Sequence, residues 1–347
     1  MTTGKWSAFV AGCAALILSL CALFVFLLDP FEHYRESAIL PLYDQESYNN
    51  PGIARSYDYD AAVFGTSMVE MCRPSVVDEA FGVSSVKLPM RGSHTAQMGW
   101  QLSHVLEKRP LRLAILAVDA YSLMGPVGDR EEIVGYLWND SLPDDVNYLL
   151  NRDVLLVKLP RLLQNRGRSL AGKRDDMYQW VDVVFSEKSV LSAVSFVKQQ
   201  PLHEADERIE RSTANIRENL IPSIEAHPET RFLIYMPPYS AAYWYQVMRG
   251  GLMEQQFRSR RLVAEMLSGY PNVQIYDFSC RLEWIENLDN YFDYSHHSTA
   301  VCDALIRAMA AGENRADTPE DMEAGNAVIR QAAERFAEKY EPGRLSP

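Results

Sequence analysis

The sequence predicts an α/β fold around a five-stranded, mostly parallel sheet. Five short apolar runs carry this expectation: Ala61–Gly65, Ser84–Leu88, Leu111–Val118, Arg231–Met236 and Val273–Asp277, each bounded by turn residues or charges. Helical patterns separate them, at Thr95–Glu107, at Pro222–His227 with the charged stretch before it, and at Gln256–Leu267. Strands that alternate with helices read as βαβ units, whose crossovers make neighbouring strands parallel. A third observation, the uncharged run from Trp6 to Leu28, adds an N-terminal transmembrane helix.

That run holds 23 residues without a charge. At 1.5 Å per residue it reaches about 34 Å, enough to cross a bilayer. It is long for the apolar part of a signal peptide, and Asp29-Pro30-Phe31-Glu32 after it offers no small-residue cleavage site. Lys5 and the α-amine flank one end, and Asp29, Glu32, Arg35 and Glu36 the other. The positive-inside rule then keeps the N-terminus in the cytoplasm and places the main domain outside, in the periplasm of a bacterium, anchored through residues 6–28 to the inner membrane.

The expected organisation is an anchor over 1–28, a polar connector over 29–57 and an α/β domain over 58–312. A helical insertion at about 125–200 and an acidic C-terminal helix and tail over 313–347, read as solvated, complete it. The basic residues Arg161, Arg166, Arg168, Lys173 and Arg174 in the insertion read as a solvated loop or as a face for anionic headgroups. A net charge of −12 argues against nucleic acid as a partner, because phosphate recognition needs a basic face. Cys13 and Cys21 lie in the anchor; of Cys72, Cys280 and Cys302, a Cys280–Cys302 bridge or buried free thiols are both open. No cysteine or histidine spacing suggests zinc, and nothing calls for a cofactor.

Chemistry concentrates in two places. Gly65-Thr66-Ser67 follows the first predicted strand, and Asp293-Tyr294-Ser295-His296 precedes the last apolar helix. A serine hydroxyl becomes a nucleophile when a histidine takes its proton, and that imidazole needs a carboxylate to fix its tautomer. Ser67, His296 and Asp293 supply the three groups. The i, i+3 spacing of Asp293 and His296 suits one face of a helical turn. Thr66 or Ser67 can instead be merely a helix cap. A metal site of Asp293, His296 and His297 is disfavoured, because adjacent histidines on a helix point apart.

Ligands of open α/β sheets bind beyond the carboxyl ends of the strands. Gly92, after the second strand, can offer an oxyanion N–H, or close a plain turn. Asp119, after the third, can bind substrate or cap the next helix. Tyr239, Tyr243 and Trp244, after the fourth, can stack on sugar rings or pack a helix onto the core.

At these residues the chain resembles the SGNH (GDSL-like) hydrolase superfamily. Gly65-Thr66-Ser67 resembles the family's Gly-Asp-Ser opening, Gly92 its oxyanion-hole glycine, and Asp293-x-x-His296 its last block. The resemblance covers roughly residues 60–310 and implies a flavodoxin-like three-layer α/β/α fold. It also implies a Ser67–His296–Asp293 triad, with the N–H groups of Ser67 and Gly92 as the oxyanion hole. One position departs from the pattern: the family's oxyanion asparagine after the third strand is Asp119 here, with Asn139 a distant substitute. The anchor and this departure make the chain similar to the membrane-anchored subgroup that O-acetylates polysaccharides. The implied function is an acyl esterase or O-acyltransferase acting on an envelope glycan, with a possible membrane-bound acyl-transfer partner. The alternative is a non-catalytic envelope protein that binds a glycan or partner on a degenerate SGNH scaffold.

Overall fold

Five strands form one sheet in which every neighbouring pair is parallel: β1 (Ala61–Gly65), β2 (Ser85–Pro89), β3 (Leu113–Ala117), β4 (Arg231–Met236) and β5 (Val273–Asp277). The order is β2-β1-β3-β4-β5. The computed structural model describes residues 2–131, 133–202 and 206–342. Its chain divides into two units, Met1–Asp58 with Ile133–Lys173, and Tyr59–Glu132 with Arg174–Pro347.

The sheet lies in the second unit. Its strands are apolar runs because they are covered on both faces, as parallel strands require. One core cluster joins Val63, Ile115, Leu233 and Tyr276 to Val77, Leu305 and Met309 of the flanking helices Pro74–Phe81 and Thr299–Ala310. Gly65 ends β1 where a Cβ would come within 2.8 Å of both Ala117 and Val69, so only glycine allows the approach. The acidic C-terminal stretch does form a helix, but one packed on one face rather than solvated all round; residues 343–347 of the expected tail lie outside the described residues. Helix Pro319–Tyr340 buries Met322, Ile329 and Phe336, spaced by whole turns, against helices Ala241–Arg249 and Met253–Leu267. Its acids occupy the other face.

A disulfide joins Cys72 to Cys302, and Cys280 is free, which corrects the Cys280–Cys302 pairing. The bridge fixes the turn after β1 to the helix Thr299–Ala310. Arg73 and Asp303, the next residues along both segments, form an ion pair beside it.

In the first unit, helix Thr3–Leu28 is long and apolar enough to span a membrane. Residues 29–57 are folded rather than a bare connector. They carry helix Glu46–Ser56 and two buried carboxylates, Asp29 and Glu32. Asp29 accepts from Tyr148 Oη at 2.9 Å, and Glu32 from Lys173 Nζ at 2.6 Å and Tyr57 Oη at 2.9 Å. The predicted basic cluster is therefore divided. Lys173 is buried on Glu32, Arg161 meets Asp44, and Arg174 belongs to the other unit, where it donates to Ser84. Asn139 also lies in the first unit, where its amide nitrogen donates to Asp144 Oδ2 at 2.9 Å.

Candidate active site

The chain order reverses beside β1, between β2 and β3, and Ser67 follows β1 at that switch point. The segment does not open a full helix. It makes a single 3-10 turn, Ser67–Val69, whose cap is Thr66: the Thr66 hydroxyl accepts from Met68 N at 3.5 Å. Because Thr66 takes the capping role, the Ser67 hydroxyl is left for another partner. It meets His296 Nε2 at 2.8 Å across 229 residues of sequence.

Asp293 and His296 come together without a helix. Asp293 Oδ1 accepts from the backbone N–H groups of Ser295 and His296 at 2.7 and 2.8 Å, closing an Asx turn. Its Oδ2 stands 2.7 Å from His296 Nδ1. With Nδ1–H donating to the carboxylate, Nε2 presents its lone pair to the Ser67 hydroxyl. Burial pushes the Asp293 carboxyl up. The hydrogen bonds and charge from His296, with the two N–H donors, outweigh that and hold it below the usual carboxylate range. The turn is tethered to the end of β4: Tyr291 donates to Pro238 O at 2.7 Å, and Ser240 Oγ donates to Tyr294 O at 2.5 Å. His297 is buried, with its Nδ1 3.3 Å from Ser298 O. Burial pulls it down to about 4, so it is neutral at pH 7. Among the described residues there is no cluster of His, Cys, Asp and Glu that could hold a metal.

Gly92 lies in the turn Met90–Ser93, closed by Ser93 N donating to Met90 O at 3.2 Å, and has φ +67°, which glycine adopts without strain. Met90 N in turn donates to Gly65 O at 2.8 Å, which ties this turn to the end of β1. Among the described residues, the backbone N–H groups of Ser67 and Gly92 donate to no protein acceptor.

Asp119 is buried and caps helix Ala120–Leu123, accepting from Ser122 N at 2.7 Å. Burial raises its carboxyl above the usual range, against the hydrogen bonds from Ser122 and the Tyr239 hydroxyl. Tyr239 and Tyr243 stack with ring centroids 4.1 Å apart and are half-buried. Trp244 is not at a rim. It is buried against Phe257 and Ile329, which leaves no face for a sugar.

Several residues around the histidine carry no motif. Trp180 lies 4.5 Å from the His296 ring and Phe292 lies 5.3 Å from it, nearly parallel. The Trp180 indole N–H donates to Glu70, a fully buried carboxylate also clamped by Arg91 through bonds of 3.0 and 3.1 Å. Gln179 next door donates to Met71 O and accepts from the Thr299 hydroxyl. Residues 177–180, expected within a helix, are a strap between the nucleophile turn and the helix after His296. Lys87 in β2 fixes the same region. It is fully buried, and its ammonium donates to the carbonyls of Glu70, Cys72 and Asp175 at 2.6, 2.7 and 3.1 Å. Glu70 falls three residues after Ser67, the one sequence cue to this shell. No protein-family model and no curated protein matches the chain.

Proposed function

We propose that the chain is a membrane-anchored, extracytoplasmic acyl-ester enzyme of the SGNH type, an esterase or O-acyltransferase acting on an envelope or exopolysaccharide glycan. One observation carries the reading: Ser67 Oγ, His296 and Asp293 stand in an unbroken relay at 2.8 and 2.7 Å. Ser67 Oγ attacks an acyl carbonyl and its proton passes to His296 Nε2. Asp293 stays ionised and balances the imidazolium. The N–H groups of Ser67 and Gly92 receive the oxyanion. Collapse expels the leaving alkoxide, which takes the proton from His296 and leaves acyl-Ser67. Water or a sugar hydroxyl, deprotonated by His296, then attacks the ester and frees Ser67.

The strand order supports a flavodoxin-like, three-layer arrangement. The Cys72–Cys302 bridge supports an oxidising compartment, and Lys5 with the apolar helix supports an N-in anchor in the inner membrane. Tyr239 and Tyr243 are the remaining aromatic candidates for a sugar ring.

The test is a fluorophosphonate probe on the full chain in detergent. Wild type labels, Ser67→Ala does not, and His296→Ala labels far more slowly. An unlabelled wild type overturns the enzyme and leaves a glycan- or partner-binding scaffold as the reading. Acetate release from an O-acetylated polysaccharide, against transfer to a de-acetylated one, separates esterase from transferase.

A further inference from the structure

The helical run formed by Val154–Lys158 and Leu159–Gln164 in the first unit is apolar on both sides. Val154, Leu159 and Leu162 are buried in one cluster with Val25 and Phe31. The opposite side carries Leu156, Val157 and Leu163, 70%, 46% and 40% exposed. Lys158 and Arg161 on the run are paired with Asp44, so its apolar residues fall on two faces, one buried in the core and one left for lipid or a partner.

Three observations choose lipid. Leu155 lines a groove whose other wall is Leu20, Cys21, Leu23, Phe24 and Leu27 of the N-terminal helix. Leu20 lies eight residues before the end of that helix at Leu28, about 12 Å along its axis. A segment that reaches Leu20 therefore sits at the depth of acyl chains when that helix spans the bilayer. Finally, Arg152 lies just before the run and Arg166 and Arg168 just after it, all exposed. Among the described residues, Arg166 and Arg168 form no ion pair.

We infer that residues 154–164 form an interfacial helix, with Leu156, Val157 and Leu163 among the acyl chains of the outer leaflet and Arg152, Arg166 and Arg168 at anionic lipid phosphates. Such a helix lies in the plane of the interface, held by apolar area and by attraction to anionic lipid. The inference rests on the anchor proposed above.

The test uses the full chain in phosphatidylcholine–phosphatidylglycerol vesicles, with Cys13, Cys21 and Cys280 changed to serine and the disulfide retained. Single cysteines at Leu16, Leu156 or Leu163 carry a polarity-sensitive fluorophore, and lipids with a doxyl group on the acyl chain serve as quencher. Quenching and a blue shift at all three positions are expected. Quenching at 16 with none at 156 and 163 overturns the interfacial helix and leaves the anchor standing. No quenching at 16 overturns the anchor and the inference with it. Self-quenching at 156 that rises with protein density, without lipid quenching, assigns the face to a second copy and overturns the lipid assignment. Arg166→Gln combined with Arg168→Gln lowers quenching at 163 only in vesicles containing phosphatidylglycerol; an unchanged signal overturns the headgroup contact.

Discussion

Asp293 holds a backbone turn and an imidazole with one carboxylate, and the two duties separate by mutation. An amide oxygen still accepts from the turn, so Asp293→Asn should keep the fold and its melting temperature. An amide nitrogen facing Nδ1 favours the wrong tautomer, so probe labelling should slow by about 10³–10⁴-fold. The carboxyl is held low, so its contribution to stability is present above the ordinary carboxylate range and is lost as pH falls through its folded pKa. His297 is the larger acid liability. Its ring is buried neutral with a pKa of about 4, against 6.5 in the unfolded chain. The unfolded state therefore binds the extra proton between those values, and stability falls as pH drops from 6.5 to 4. The loss is about 3 kcal/mol. In His297→Leu, urea midpoints should decline less steeply over that window; an unchanged slope refutes the assignment. Asp119→Asn tests the departure at the third strand: if that side chain faces the oxyanion, the added N–H donor should raise the labelling rate. That Ser67, Asp293 and His296 would meet was legible because the motifs that carry them sit at fixed places in the strand order. Trp180, Glu70 and Arg91 were not, because their meeting depends on how a 110-residue excursion returns, and periodicity does not encode that.

Among the elements, the strands were legible to within two residues because charges and turn residues bound each apolar run. Residues 29–57 and the acidic helix were not. The first is ordered by paired buried charges such as Glu32 with Lys173 rather than by an apolar period. In the second, the acid count hid a narrow stripe through Met322, Ile329 and Phe336. Lys87 shows the same limit inside β2, where a lysine in an apolar strand gives no hint of three carbonyl partners. Burial pulls its ammonium down to about 7, yet three acceptors match the three N–H bonds of the charged form. Lys87→Met should strand those carbonyls and cost roughly 2–4 kcal/mol. It should also free the strap that carries Trp180, so labelling of folded Lys87→Met should slow at temperatures well below its unfolding midpoint.

For the molecule as a whole, orientation is the deciding question. A reporter fused after Pro347 should be active only outside the cytoplasm, given Lys5 before the uncharged run and the acidic residues after it. A reporter active inside rejects the envelope assignment while leaving the serine chemistry intact. The bridge between Cys72 and Cys302 bears on when that chemistry begins. It lies five residues beyond the serine and six beyond the histidine, and closes 230 residues of chain. In the proposed mechanism neither reacting group contains sulfur, so by itself that chemistry would ignore thiols. Here the segments that carry His296 and the Ser67 hydroxyl it meets are joined by a bond that reductants sever. Dithiothreitol should therefore slow labelling and lower the melting temperature together, by a loss of about 2–5 kcal/mol. On the proposed function, a chain made in a reducing cell interior would stay dormant through synthesis and gain full reactivity on reaching an oxidising space, so that arrival itself would be the activating event.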